Sequence, residues 1–164
     1  MDAVTTAEIA GAFRNSSRSK VRSVTYPAGL EATAWEELDF LGWIDPKSPR
    51  RAYLVAPTGS GLVAIEMRVS EGGGARASAS MCTLCRSVHR RGGTALFSAT
   101  KVGPAGRAGN SAGTYICTDL NCSLYVRGIR TLPGTQPEKS VPVPDRIDGL
   151  VHRLTSFLSV VGAA

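Results

Sequence analysis

Four cysteines in two close pairs constrain this chain more than any other feature. They stand as Cys82-Thr83-Leu84-Cys85 and Cys117-Thr118-Asp119-Leu120-Asn121-Cys122, with two and four residues between partners. The interval between the pairs is long enough for a β-hairpin. A Cys-x2-Cys turn aims two sulfurs at one point, and a second pair completes a tetrahedron at Zn–S distances of about 2.3 Å. The second pair suits the start of a helix, where free N–H groups and the helix dipole favour thiolate charge. Knuckle, hairpin and helix in that order make a treble-clef zinc finger. The expected fold is therefore α+β: an antiparallel sheet carrying a four-cysteine treble-clef finger, with flanking helices. Cys82, Cys85, Cys117 and Cys122 are the expected ligands and Zn2+ the expected cofactor.

Two other uses of the cysteines compete. A redox couple at Cys82-x-x-Cys85 lacks the βαβ setting of a thioredoxin-like motif and leaves the second pair without a role. A set of Cys82, Cys85 and His89 with one later cysteine is a CCHC variant, but His89 sits among arginines and a fourth sulfur is available.

A chain of 164 residues fits one domain with room for a real core. Its net charge of +6 and pI near 9.5 point to an acidic partner: nucleic acid, a ribosome surface or an acidic protein face. The opening Met1-Asp2-Ala3-Val4-Thr5 has no basic lead or apolar run, and Phe157 to Ala164 is too short to cross a bilayer. A cytoplasmic protein with no membrane partner is expected. Disulfides are disfavoured in that compartment, which again moves the cysteines toward metal.

Along the chain, Thr5 and Glu8 form a capping box for a short helix with Ile9 and Phe13 on one face. Ser16 to Arg22 starts a second, basic helix. Trp35 to Trp43 is dense in large apolar groups and reads as a core anchor. Arg51–Ala56 and Gly61–Arg68 read as strands joined by a turn at Pro57-Thr58-Gly59-Ser60. Glu71 to Arg76 is a glycine-rich connector. Thr94 to Lys101 reads as a strand with Ala95, Phe97 and Ala99 on one face, Gly103 to Gly113 as a small-residue loop, and Thr114 to Cys117 as the returning strand. Asp119 is expected to cap the helix carrying Cys122. Thr131 to Pro144 holds four prolines and reads as an extended connector. After Pro144 comes the cleanest helix, with Ile147, Leu150, Val151, Leu154, Phe157, Leu158 and Val161 forming a stripe that should bury against the protein's own sheet. His152 falls off that stripe, as an ordinary surface histidine. The expected organisation is a short helical segment over 1–25, a zinc-binding domain over 26–130, and a connector and helix over 131–164 packed on it.

Nothing in the sequence supports catalysis. Two histidines offer little material for a general base, and neither has a nucleophile at a motif spacing. An enzyme with a small-molecule substrate is not expected, which leaves binding. Leu84 stands at the tip of the knuckle with Arg86, Arg90 and Arg91 close behind, and Lys101, Tyr125, Arg127 and Arg130 extend the patch. An apolar anchor ringed by cations suits an acidic protein surface.

Several phrases carry a family resemblance: Leu38-Asp39-Phe40-Leu41-Gly42-Trp43, Met81-Cys82-Thr83-Leu84-Cys85, Gly113-Thr114-Tyr115-Ile116-Cys117-Thr118-Asp119-Leu120-Asn121-Cys122, and Tyr125-Val126-Arg127. Over Tyr26 to Arg130 the chain resembles the C-terminal treble-clef zinc-finger domain of the FusB-type elongation factor G-binding proteins. The resemblance implies a non-enzymatic translation accessory protein with Cys82, Cys85, Cys117 and Cys122 on zinc. It also implies elongation factor G as partner and release of that factor from the ribosome. The resistance proteins of the family carry a separate N-terminal helical bundle, where residues 1–25 here supply one or two short helices. Two alternatives stand beside this reading. One is a zinc protein that binds ribosomal RNA or the ribosome itself, motivated by the charge; the other is a scaffold that dimerises through its C-terminal helix.

Overall fold

The computed structural model describes residues 1–70 and 79–164, so the glycine-rich connector at Glu71 to Arg76 lies outside the described residues. Among the described residues, seven strands and five helices follow one another as α1 (Thr6–Ala12), α2 (Arg18–Arg22), β1 (Leu41–Ile44), β2 (Arg51–Thr58), β3 (Gly61–Val69), β4 (Ala79–Met81), β5 (Val88–Arg90), β6 (Thr94–Thr100), α3 (Gly103–Arg107), β7 (Ser111–Cys117), α4 (Cys122–Val126) and α5 (Val143–Val161). Short 3-10 turns at Leu30–Ala32 and Trp35–Glu37 precede β1. Five strands form one antiparallel sheet in the order β1-β2-β3-β6-β7, and β4-β5 form a separate hairpin. The α+β class, antiparallel sheet and flanking helices are as the sequence led one to expect.

Period-two alternation assigns the two faces of the large sheet to two cores. On β2, Tyr53 and Val55 face one way while Ala52, Leu54 and Ala56 face the other, and all five are buried. On β3, Val63, Ile65 and Met67 join the second group and Ala64 the first. One core lies under α1 and the segment from Val24 to Trp35; it gathers Ile9, Ala12, Trp35, Leu41 and Trp43. The other lies under α4 and α5 and takes in all four cysteines.

The capping box of α1 is present: the Glu8 amide donates to Thr5 Oγ1 and the Thr5 amide to the Glu8 carboxylate. Beyond this helix, Asn15 fills the gap where β3 and β6 splay. Among the described residues, those strands pair at Arg68↔Ser98 and Val69↔Phe97, and the Ser70 amide just beyond donates to the Leu96 carbonyl. The Asn15 amide group donates to the carbonyls of Glu66 and Thr100 and accepts from the Glu66 N–H.

Some boundaries differ from the sequence reading. Pro57 and Thr58 belong to β2, paired with Leu62 and Gly61, so the turn is shorter than expected. Pro57 lies beyond Val55, the last residue paired with β1, where its missing N–H forfeits no bond to that strand. The loop expected over Gly103 to Gly113 contains α3, started by Pro104 in its first turn, and β7 begins at Ser111. Helix α5 starts at Val143, with Pro142 before it and Pro144 inside the first turn. Its stripe buries Leu150, Leu154, Phe157, Leu158 and Val161 against the core, leaving Val151 exposed. No helix among the described residues is long and apolar enough to cross a membrane.

Candidate metal centre

The knuckle turns at the end of β4, where the Cys82 amide donates to the Ser87 carbonyl and the Cys85 amide points at Cys82 Sγ, 3.4 Å away. Its partner pair spans the end of β7 and the first residue of α4. The four sulfurs all lie within 4.8 Å of one another and are buried. Cys82 Sγ is 3.7 Å from Cys122 Sγ, and Cys85 Sγ is 3.4 Å from Cys117 Sγ. None is in a disulfide. A tetrahedron with Zn–S bonds of about 2.3 Å has edges of roughly 3.8 Å, so the donor set fits zinc. Burial pushes the Cys122 thiol well above its ordinary value. Thiolates packed this closely away from water need a cation among them, and four sulfurs fill the tetrahedron, leaving no place for a reactive water.

Residues around the ligands hold them in place. His89, 5% exposed on β5, has Nε2 3.1 Å from Cys117 Sγ, and its ring meets Tyr125 edge-on at 5.2 Å. It is a neighbour of a ligand and not a fifth member of the cluster, which disposes of the CCHC variant. Gly93 is needed opposite it: a β-carbon there would lie 2.5 Å from His89 Cβ. The Tyr125 hydroxyl donates to Asp119 at 2.8 Å; burial, and then this bond, raise the phenol's pKa. Asp119 does not cap α4 as expected. It accepts from the Asn121 amide within the turn between Cys117 and Cys122. From α5, Arg153 Nε donates to the Leu84 carbonyl at 2.6 Å and straps the knuckle to the last helix.

The phrase Leu38 to Trp43 joins the sheet to this centre. Asp39 takes a two-pronged grip from Arg127, at 2.5 and 2.9 Å, and its amide donates to Ser123 Oγ on α4. Gly42 lets β1 press against the loop that follows Cys117: a β-carbon there would come within 2.8 Å of Leu120 Cβ. Leu120 itself holds a left-handed backbone, with φ at 56°.

The expected contact patch is partly redistributed. Leu84 is 0% exposed and belongs to the core, so it offers a partner no apolar anchor; the knuckle folds its tip inward beneath α5. Tyr125 and Arg127 are internal braces, engaged with Asp119 and Asp39. Lys101 follows the far end of β6, roughly 20 Å from the end at Thr94 that pairs with Cys117. Arg86 is half-buried beside the knuckle, and Arg90 and Arg91 are exposed at the β5 turn. His152 is exposed, as expected. Neither Arg153 nor the pairing of Asp39 with Arg127 carries a signal of its own in the sequence.

A family model described as FBP C-terminal treble-clef zinc-finger matches residues 8–161. The chain belongs to this family. The match reaches beyond the Tyr26 to Arg130 span of the shared phrases and takes in most of α1 and all of α5. No curated protein and no solved structure matches the chain. Membership and the buried cluster of Cys82, Cys85, Cys117 and Cys122 together make this a zinc-binding protein of the FusB type. The family is one of zinc-finger domains.

Proposed function

We propose that this protein is a non-enzymatic module that binds translation elongation factor G and promotes its release from the ribosome, acting in the cytoplasm. Membership of the FusB-type zinc-finger family is the observation that carries this reading. In it, residues 26–130 form the gripping unit, and the segments 1–25 and 131–164 support it. Zinc stiffens the knuckle and the β4-β5 hairpin; Arg90 is exposed at the end of β5, Arg91 is exposed just after it, and Arg86 is half-buried just after Cys85. Cations on a rigid mount steer and orient an acidic partner.

The alternative, ribosomal RNA as partner, draws on the net charge of +6. Recognition of unpaired bases wants stacking aromatics on an open surface. Tyr53, Phe97 and Tyr125 are buried, and Tyr115, at 42% exposure, is the large ring left outside on the strands. A partner bound through protein surface fits these side chains better.

Calorimetric titration of the purified protein with elongation factor G, and separately with ribosomal RNA, tests the reading. A 1:1 complex with the factor that persists at moderate salt is expected, weakened about tenfold or more by an Arg90→Glu, Arg91→Glu double change. Binding to RNA alone, collapsing steeply with salt, would replace the proposal by its alternative.

A further inference from the structure

A cavity of about 290 Å3 opens beside the zinc centre, between the knuckle, the end of α4, the connector and the start of α5. Its lining includes Val126, Leu132 and Tyr125, together with Gly128 and Gly134. Four cations line it: Arg86, Arg130, Lys139 and Arg146. They come from four separate stretches of chain, unlike a run of charges along one solvated helix face. The single carboxylate in the lining, Glu138, lies 3.8 Å from Arg153. Arg130 is shared with Asp119 at 3.2 Å. Among the described residues, Arg86, Lys139 and Arg146 have no side-chain partner, and Arg146 Nε is buried without a hydrogen bond. A buried guanidinium nitrogen left unpaired is costly unless something fills the space with acceptors.

Arg86 adds an independent observation. It follows the second knuckle cysteine at φ 60°, a left-handed conformation that residues bearing a β-carbon avoid and glycine adopts freely. The knuckle nevertheless holds an arginine in that conformation at the lip of the cavity. Backbone held against its preference points to a site where the side chain is needed.

We infer that this cavity binds a phosphoryl group carried on a small organic molecule. Guanidinium forks match tetrahedral oxyanions through paired N–H donors. A single carboxylate would leave most of the converging charge uncompensated, whereas a phosphate monoester brings close to two negative charges and three acceptor oxygens. The apolar residues supply contact for the organic part, and the mixed lining of a few charged groups with apolar side chains is that of a small-molecule site.

The test is calorimetric titration of the zinc-loaded full chain with inorganic phosphate and with phenyl phosphate at constant ionic strength. Both should bind 1:1, with phenyl phosphate tighter because its ring meets the apolar residues. Arg86→Gln and Lys139→Gln should each weaken binding about tenfold. Arg146→Gln should weaken it further, with Arg68→Gln on β3 as a control that leaves it unchanged. Zinc content and thermal midpoint are measured for every variant; if Arg146→Gln fails to fold, the other two decide. The inference is overturned if neither probe saturates up to about 10 mM. It is equally overturned if folded variants bind like the unaltered protein, or if only an RNA oligonucleotide engages these residues.

Discussion

The two faces of the central sheet are stabilised by different means. Under α1, rings do the packing: Trp43 meets Tyr53 at 5.0 Å and Tyr26 at 5.9 Å, and Phe13 meets Tyr53 edge-on at 5.8 Å. Trp43 Nε1 donates to the Thr25 carbonyl, and the Tyr53 hydroxyl donates to buried Asp45. The opposite face has its own apolar core, but α4, the knuckle at Cys82–Cys85 and the turn at Cys117–Cys122 converge on four sulfurs. Apolar burial and ordinary hydrogen bonds suffice for the first face. The second is complete only with a metal ion, because closely packed buried thiolates repel one another without it.

The largest expected effect comes from breaking that asymmetry at the metal. Cys117→Ser, or chelation of zinc, should cost more than about 5 kcal/mol, since structural zinc contributes on the order of 10–16 kcal/mol in small fingers. Both tryptophans lie on the aromatic face. Their fluorescence should therefore persist to higher denaturant than the helical circular dichroism contributed by α4 and α5. Coincident loss of the two signals would show that the faces fold as one unit.

A smaller effect is expected at the seam. Gly42→Ala drives a methyl group into Leu120 Cβ, whose backbone is already in a disfavoured conformation. A loss of about 1–3 kcal/mol should follow, with weaker zinc retention in a competition assay against a chromophoric chelator. Unchanged zinc retention would mean that β1 does not support the metal loop.

The smallest effect belongs to the aromatic face and is read by pH. Burial raises the pKa of Asp45, but donation from the Lys47 and Thr25 amides and the Tyr53 hydroxyl outweighs it and leaves the carboxyl below its ordinary value. A lowered folded pKa contributes stability above the unfolded value, about 4, and that contribution is lost as pH falls through the folded value. Burial pushes the Tyr53 phenol up to about 12. A raised phenol pKa contributes below the unfolded value, about 10, and is lost as pH climbs toward the folded one. Asp45→Asn should cost about 1–2 kcal/mol at neutral pH and flatten the acid limb of tryptophan-monitored unfolding. An acid limb as steep as that of the unaltered protein would assign the titration elsewhere.

Local signals were legible in the sequence. Cysteine spacing foretold the cluster of four sulfurs, the Thr5–Glu8 pair placed α1, and the stripe from Ile147 to Val161 identified α5 and most of the face it buries. What escaped were contacts made across long stretches of chain. Leu84 looked like a tip because nothing nearby covers it; its cover comes from α5, with Arg153, 69 positions away, on its carbonyl. Arg127 looked free because Asp39 is 88 positions off. Lys101 looked adjacent to the knuckle because chain order does not show at which end of a strand a residue falls. Charge and hydropathy describe what a side chain prefers, and only tertiary packing decides which neighbour satisfies it.

The connector contributes more than a span between α4 and α5. The Gln136 side-chain amide accepts from the Val88 N–H at 2.8 Å and donates to the Val88 carbonyl at 3.2 Å, standing in for a neighbouring strand. The border of the β4-β5 hairpin is thus sealed at that point by one residue. A stray extended peptide finds no template there for edge-to-edge pairing, the usual first step toward aggregation.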